Sequence, residues 1–174
     1  LAMTAALGLT ACGGGNRAAT SETGKNEVTM ASRTPNWIFP VSAKGYTQGE
    51  NGNFIQAMYR PLFAYKSTSD TPYRINLPKS LGTVPEVSED GLTYTITLRE
   101  DAKWSDGTPV TTRDIEFWWN LVTNNKEEWA SYKEGFFPDG ATLDVKDEHT
   151  FSITTEEKFA PDWFIDNQIN KVAL

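Results

Sequence analysis

The chain has 174 residues and a formal net charge of −7, which is length enough for one ordinary core and an acidic balance unlike the clustered Lys and Arg of a nucleic-acid surface. A single cysteine excludes an internal disulfide, and that cysteine with a single histidine is too few nitrogen and sulfur ligands for an ordinary zinc site, so no metal or other cofactor is expected. Six Trp, nine Phe and six Tyr are enough to fill a core or to line a cleft, and composition leaves that choice open.

Residues 1–11, LAMTAALGLTA, carry no charge and no proline. A run that short cannot cross a hydrocarbon layer, which takes about 20 residues. It matches the apolar region of a secretory signal, with the small residue Ala11 at the cleavage position, and the missing basic region implies that the sequence starts part-way through that signal. Cys12 follows, then three glycines and a polar run without bulky apolar groups, so residues 12–26 read as a flexible tether. A core helix would not carry its cysteine straight into three glycines. Leu9-Thr10-Ala11-Cys12 instead resembles the lipobox of bacterial lipoproteins. The resemblance implies that the Cys12 sulfur takes a diacylglyceryl group and becomes the new N-terminus, anchored to the membrane by two acyl chains.

Residues 27–174 carry the folded part. Glu27–Ser32 alternates Val28 and Met30 with small or polar neighbours, a strand pattern. Pro35 and Pro40 bracket Asn-Trp-Ile-Phe, and a glycine-containing loop follows. From Asn53, the pairs Phe54/Met58 and Ile55/Tyr59 stand four apart and predict a helix that Pro61 closes; Leu62–Lys66 then reads as a short strand. Three prolines between Ser67 and Val87 predict an irregular crossing.

Tyr94, Ile96 and Leu98 alternate with Thr93, Thr95 and Thr97, giving a strand with one buried face. Asp106-Gly107 predicts a tight turn. Thr111 stands three before Asp114, the spacing of a capping box, and the helix it opens puts Ile115, Trp118, Trp119 and Val122 on one buried face. Asn124-Asn125 ends that helix, with a second helical segment expected in Lys126–Tyr132. Leu143/Val145 and Phe151/Ile153 alternate on either side of Asp147-Glu148-His149, which predicts a hairpin with His149 as a plain turn residue. Pro161 onward begins a further element.

Residues 90–119, DGLTYTITLREDAKWSDGTPVTTRDIEFWW, resemble the extracellular solute-binding proteins of family 5, the peptide, dipeptide and nickel receptors of ABC importers. The matching features are Leu98-Arg99, Trp104, Asp106-Gly107-Thr108-Pro109, Thr111 or Thr112, and Asp114 with Phe117. Met58-Tyr59-Arg60-Pro61-Leu62-Phe63 is similar to the family's Tyr-Glu-Pro-Leu segment, and Asp147 through Phe151 to its Asp-x-x-Thr-Phe hairpin. Leu77–Leu81 departs from the family's usual Pro-x-Leu-Ala sequence, and members of the family are much longer than 174 residues.

The resemblance implies an α/β fold (α+β, mixed sheet) forming part of the first lobe of a two-lobed binding protein. It implies a monomeric, extracytoplasmic receptor that closes its lobes on a peptide and hands it to the permease and ATPase subunits of an importer. It places a cleft-lining loop after Pro40, with Lys44, Gly45, Tyr46 and Thr47 as ligand contacts and Trp37 and Phe39 as apolar walls or as core. The motif around Trp104 is expected to serve the fold rather than a ligand, as are Trp118 and Trp119. Two other classes stay open: a secreted glycosidase using two carboxylates, for which Glu127, Glu128, Glu156 and Glu157 are available, and a carbohydrate-binding surface lipoprotein with exposed tryptophans.

Overall fold

A computed structural model of the chain describes residues 31–66, 74–172 and 174. The signal, Cys12, the tether and most of the strand expected over Glu27–Ser32 lie outside these residues, as do residues 67–73 of the irregular crossing; Ala31 and Ser32 are not in a strand.

Helix α1 spans Gly49–Met58 and starts four residues earlier than its apolar spacing predicts. Asn51 is its one buried residue, for a reason that belongs to the neighbouring loop. Strand β1 is only Tyr65–Lys66, paired with β2 (Arg74–Ile75). Leu62 and Phe63, read from sequence as the start of that strand, are buried core residues before it. β3 (Glu86–Val87), β4 (Thr93–Thr97), β5 (Ala141–Val145) and β6 (Thr150–Thr155) form a sheet in the order β3-β4-β6-β5, and every described pairing is antiparallel.

Strand β4 keeps the alternation that its sequence announces. Tyr94 faces Ile153 and Ile96 faces Phe151 across the β4–β6 register, and all four are fully buried. Burying such side chains contributes about 1.5–3 kcal/mol each. Threonines occupy the other side, where the hydroxyls of Thr93 and Thr154 meet at 3.1 Å. The backbone of Gly82 crosses this core so closely that a Cβ there would lie 3.0 Å from Ile96 and 3.1 Å from Leu62 and Phe63. Between β4 and the next helix, Asp106 accepts from the Thr108 N–H at 2.9 Å, and Gly107 sits at φ 91°, a conformation glycine adopts without steric cost.

Helix α2 (Thr112–Asn124) begins in the capping box that the sequence predicts: Thr111 N–H donates to Asp114 at 2.8 Å and Arg113 N–H to the Thr111 hydroxyl at 3.3 Å. Ile115, Trp118 and Val122 are buried, Trp119 is half-buried, and Phe117 points outward, 63% exposed. The helix start is fixed to the β5–β6 hairpin, because Thr112 donates its amide to Glu148 O (2.9 Å) and its hydroxyl to Asp147 O (2.7 Å). His149 holds the turn position expected of it, next to an Asp147 carboxylate that accepts from the His149 and Thr150 amides. The helical segment expected after Asn125 is one 3-10 turn, Lys126–Glu128; it stops there because Trp129 turns extended and pairs with Ala43. Helix α3 (Pro161–Asn167) then supplies Phe164 and Ile165 to the core.

Trp118, 1% exposed, joins these parts. Its ring lies 5.8 Å from Trp129, edge to face, and 6.2 Å from Phe137, stacked. Phe137 meets Phe164 at 6.0 Å, and Phe164 meets Tyr94 at 4.9 Å. Helix α2, the 3-10 turn, the loop before β5, helix α3 and the sheet are thus linked ring to ring, at about 0.5–1.5 kcal/mol per pair beyond simple burial. Against this, the Trp118 indole nitrogen and the Tyr94 hydroxyl are buried with no hydrogen-bond partner among the described residues, a cost of about 1–3 kcal/mol each.

Trp118→Ala should therefore destabilise the fold by about 3–5 kcal/mol, and Thr111→Ala, which removes only the cap, by about 1 kcal/mol. Urea unfolding reads both, and equal losses would contradict the ranking.

Candidate functional site

The segment from Asn36 to Tyr46 is an extended loop held at both ends by one side chain. Buried Asn51, in the first turn of α1, donates to the side-chain oxygen of Asn36 (2.9 Å) and to the backbone oxygen of Tyr46 (3.1 Å), and accepts from the Asn36 N–H (3.1 Å). The buried amide thus has three partners, which is why a polar residue is stable there. Within the loop, the Trp37 indole N–H donates to Val41 O at 3.0 Å, and the Trp37 and Tyr46 rings lie 4.9 Å apart.

The far side of the loop is pinned to the segment after α2. Lys44 N–H donates to Glu128 O (2.8 Å), Ala130 N–H donates to Ser42 O (2.9 Å), and Ala43 pairs with Trp129. Between loop and helix lies a cavity of about 330 Å³, walled by Trp37, Phe39, Val41, Leu121, Val122 and Trp129, with Asn125 and Glu128 among its few polar groups. A second cavity of about 290 Å³ adjoins it, sharing Phe39, Val41 and Leu121. Phe39 forms part of both walls and is 46% exposed.

Trp37 and Phe39, left open by sequence between wall and core, both line this cavity, Trp37 half-buried and Phe39 exposed. Lys44, Gly45, Tyr46 and Thr47 are exposed beside the cavity and do not line it. Lys44 lies 4.0 Å from Glu127, both largely exposed, a pair worth little in water. Sequence reasoning did not place Leu121, Val122, Asn125, Glu128 and Trp129 at a ligand site: it gave Val122 to the core and named Glu128 only among carboxylates for a glycosidase. Their helical periodicity marks an apolar face, and only the pairing of residues 42–44 with 128–130 turns part of that face into a cavity wall.

Beyond Trp129, the loop leading to β5 is organised by Asp139. Its carboxylate accepts from Lys126 Nζ (2.7 Å), the Tyr132 hydroxyl (2.9 Å) and the Gly135 N–H (3.1 Å). Lys126, then Tyr132 and Gly135, hold this carboxyl below the usual carboxylate range, against the opposing effect of burial. On the far side, a wider cavity of about 600 Å³ includes Tyr65, Arg74, Asp162 and Asp166. There burial, and then the hydrogen bond to Asp166, push the Tyr65 phenol upward. Its lining mixes Arg74, Asp162 and Asp166 with Ile75, Leu77, Val84 and Ile165, and none of the ligand-contact residues expected from sequence reaches it.

An aromatic-walled cavity beside a rigid frame of sheet and capped helix is the construction of a small-molecule or peptide binding module. The chain belongs to the bacterial extracellular solute-binding proteins, family 5, whose middle-region model matches residues 59–174. It is 35% identical over 83 residues to the dipeptide-binding protein DppE of Bacillus subtilis, covering 40% of this chain and 15% of that protein. It is 31% identical over 137 residues to the periplasmic alpha-galactoside-binding protein of Rhizobium meliloti, covering 75% of this chain and 19% of that protein. Its fold is similar to that of the ABC transporter substrate-binding protein CtaP of Listeria monocytogenes, with a TM-score of 0.60 at 22% identity over 82% of this chain and 26% of that one. The matched part thus amounts to about a quarter or less of each of these proteins.

Two outcomes test how the site is held. Asn51→Ala should release the loop, so that hydrogen exchange across residues 36–46 accelerates while the β4 amides keep their protection; equal acceleration in both would mean global rather than local loosening. The Asp139 network contributes stability above the ordinary carboxylate pKa, near 3.9, and loses it as pH falls through the lower folded-state value. Asp139→Asn should flatten that acid-side decline in a pH series of urea midpoints, and an unchanged slope would remove Asp139 as its source.

Proposed function

We propose that this chain is the ligand-capturing part of an extracytoplasmic peptide receptor for an ABC importer. The observation that carries the reading is the clamped loop. Asn51 and the 128–130 segment hold the loop so that Phe39 stays exposed and Trp37 half-buried at the cavity, where simple core packing would have buried both. Membership of a family of solute-binding proteins and similarity to a dipeptide-binding protein support a peptide as the ligand. The chemistry is binding, with no bond made or broken. A second lobe of the full-length protein would close over the ligand from the opposite side by hinge motion. The lipid on Cys12 would keep the monomeric receptor beside its permease and ATPase partners at high local concentration. Lys44, Gly45, Tyr46 and Thr47, exposed next to the cavity, remain the backbone-proximal contacts of this reading.

One observation favours a second ligand class. A relative aligned over 75% of this chain binds an alpha-galactoside, by its name, and aromatic walls stack on sugar faces as readily as on side chains. The carboxylates of a glycosidase have no comparable support, since Glu127, Glu128, Glu156 and Glu157 are all exposed.

Titration calorimetry of the full-length protein against a mixed peptide library and against alpha-galactosides separates these classes. Heat from peptides is expected, with Phe39→Ala weakening binding about tenfold through lost apolar contact. Heat from galactosides alone would reassign the receptor to sugars, and a Phe39→Ala variant that binds like the parent would move the ligand away from this cavity.

A further inference from the structure

The cavity beside Trp37 and Phe39 is almost wholly apolar, yet its polar groups are unequal in kind. Two of its donors are engaged, the Trp37 indole N–H with Val41 O at 3.0 Å and one N–H of the Asn125 amide with Leu121 O at 2.9 Å, and the Ser42 hydroxyl also lies in the lining. The one charged residue in the lining is Glu128, which like Asn125 is exposed and carries side-chain acceptor oxygen. Glu128 has no side-chain hydrogen bond or ion pair among the described residues. Its neighbour Glu127 is the one that lies near Lys44, at 4.0 Å. Lys171, whose ammonium lies 5.9 Å from the Trp129 ring, is bound to the Gln168 side chain and is not part of the cavity wall.

Resting on the peptide-receptor reading above, we infer that this cavity is a specificity pocket for a basic side chain of the ligand peptide, lysine or arginine. A long methylene stem is apolar and packs against Trp37, Phe39 and Val41, while its charged head stays in contact with water at the pocket's edge. There it meets the carboxylate of Glu128 and the oxygen of Asn125, so donors meet acceptors and positive meets negative. Aromatic rings add a favourable surface for a cation. A purely aliphatic side chain would fill the same volume but leave the acceptors to water, and an acidic one would set like charge against Glu128. The net charge of −7 favours cationic ligands at longer range in the same sense.

The experiment uses the full-length protein and three matched tripeptide pools, in which lysine, norleucine or glutamate is placed at each position in turn. Norleucine keeps the stem and removes the charge. Calorimetry at low salt should give the lysine pool about fivefold tighter binding than the norleucine pool, the scale of a partly exposed ion pair, with the glutamate pool weakest. Added salt should narrow the lysine advantage. Glu128→Gln should lower lysine affinity about fivefold and close the gap to norleucine. Norleucine binding as tightly as lysine, or a gap that persists in Glu128→Gln, would overturn the basic pocket while leaving a peptide receptor standing. Silence from all three pools and from a wider peptide library would overturn both.

Discussion

The contact on which the rest of this molecule depends is the burial of Trp118 among other rings. The indole is placed by helix α2, whose start is fixed by a capping box and by the tip of the β5–β6 hairpin. From there it touches Trp129 and Phe137, and through Phe164 it reaches Tyr94 in the central strand. Large rings suit this role because each has only two rotatable bonds and much apolar area. They link short elements that are far apart in sequence. The sheet alone would be a modest scaffold, with outer strand β3 two residues long. The rings let it act as a rigid base, even though the Trp118 indole nitrogen and the Tyr94 hydroxyl within it find no hydrogen-bond partner among the described residues.

That base matters because the cavity's walls come from two distant parts of the chain. The loop over residues 36–46 contributes Trp37, Phe39 and Val41; the end of α2 and the turn after it contribute Leu121, Val122 and Trp129. Trp129 is both a ring in the buried chain and a wall of the cavity. A shift of Trp118 would therefore reach the cavity wall through one contact. The loop packs on the core through Val41 and is otherwise fixed by hydrogen bonds, with Asn51 at its ends and residues 128–130 along its side. Preformed walls reduce the ordering cost of binding.

The sequence's legibility follows the range of the interactions. Strand β4 and the capped start of α2 were readable because alternation and a three-residue spacing are local signals, satisfied within one strand or one helical turn. The Asp106-Gly107 bend was readable for the same reason. The pairing of residues 42–44 with 128–130 left no such trace, since its hydrogen bonds run between backbone atoms and make few demands on side chains. For want of it, the second helical segment was expected to run to Tyr132, and Trp129 was not seen to be a wall. Asn51 was missed because an asparagine near a helix start reads as polar surface. Trp37 and Phe39 come from the family resemblance, which implies a cleft-lining loop just after them, and not from a local signal of their own.

The division between frame and pocket bears on what family membership can decide. Around Trp104, the residues that match the family are occupied with the fold: Trp104 N–H bonds to Thr108 O, Asp106 closes the turn, and Thr111 and Asp114 cap the helix. Those duties are the same whatever the ligand, so proteins that bind quite different solutes can keep them. The cavity wall has the opposite character. Phe39 and Glu128 carry little of the frame through their side chains, and either can change without disturbing the capped helix or the ring contacts of Trp118, whereas the Asn125 amide also closes the end of α2 on Leu121 O. The ligand class is therefore expected to be written in the loop and at the end of α2, and a substitution there should alter what is bound well before it alters whether the protein folds.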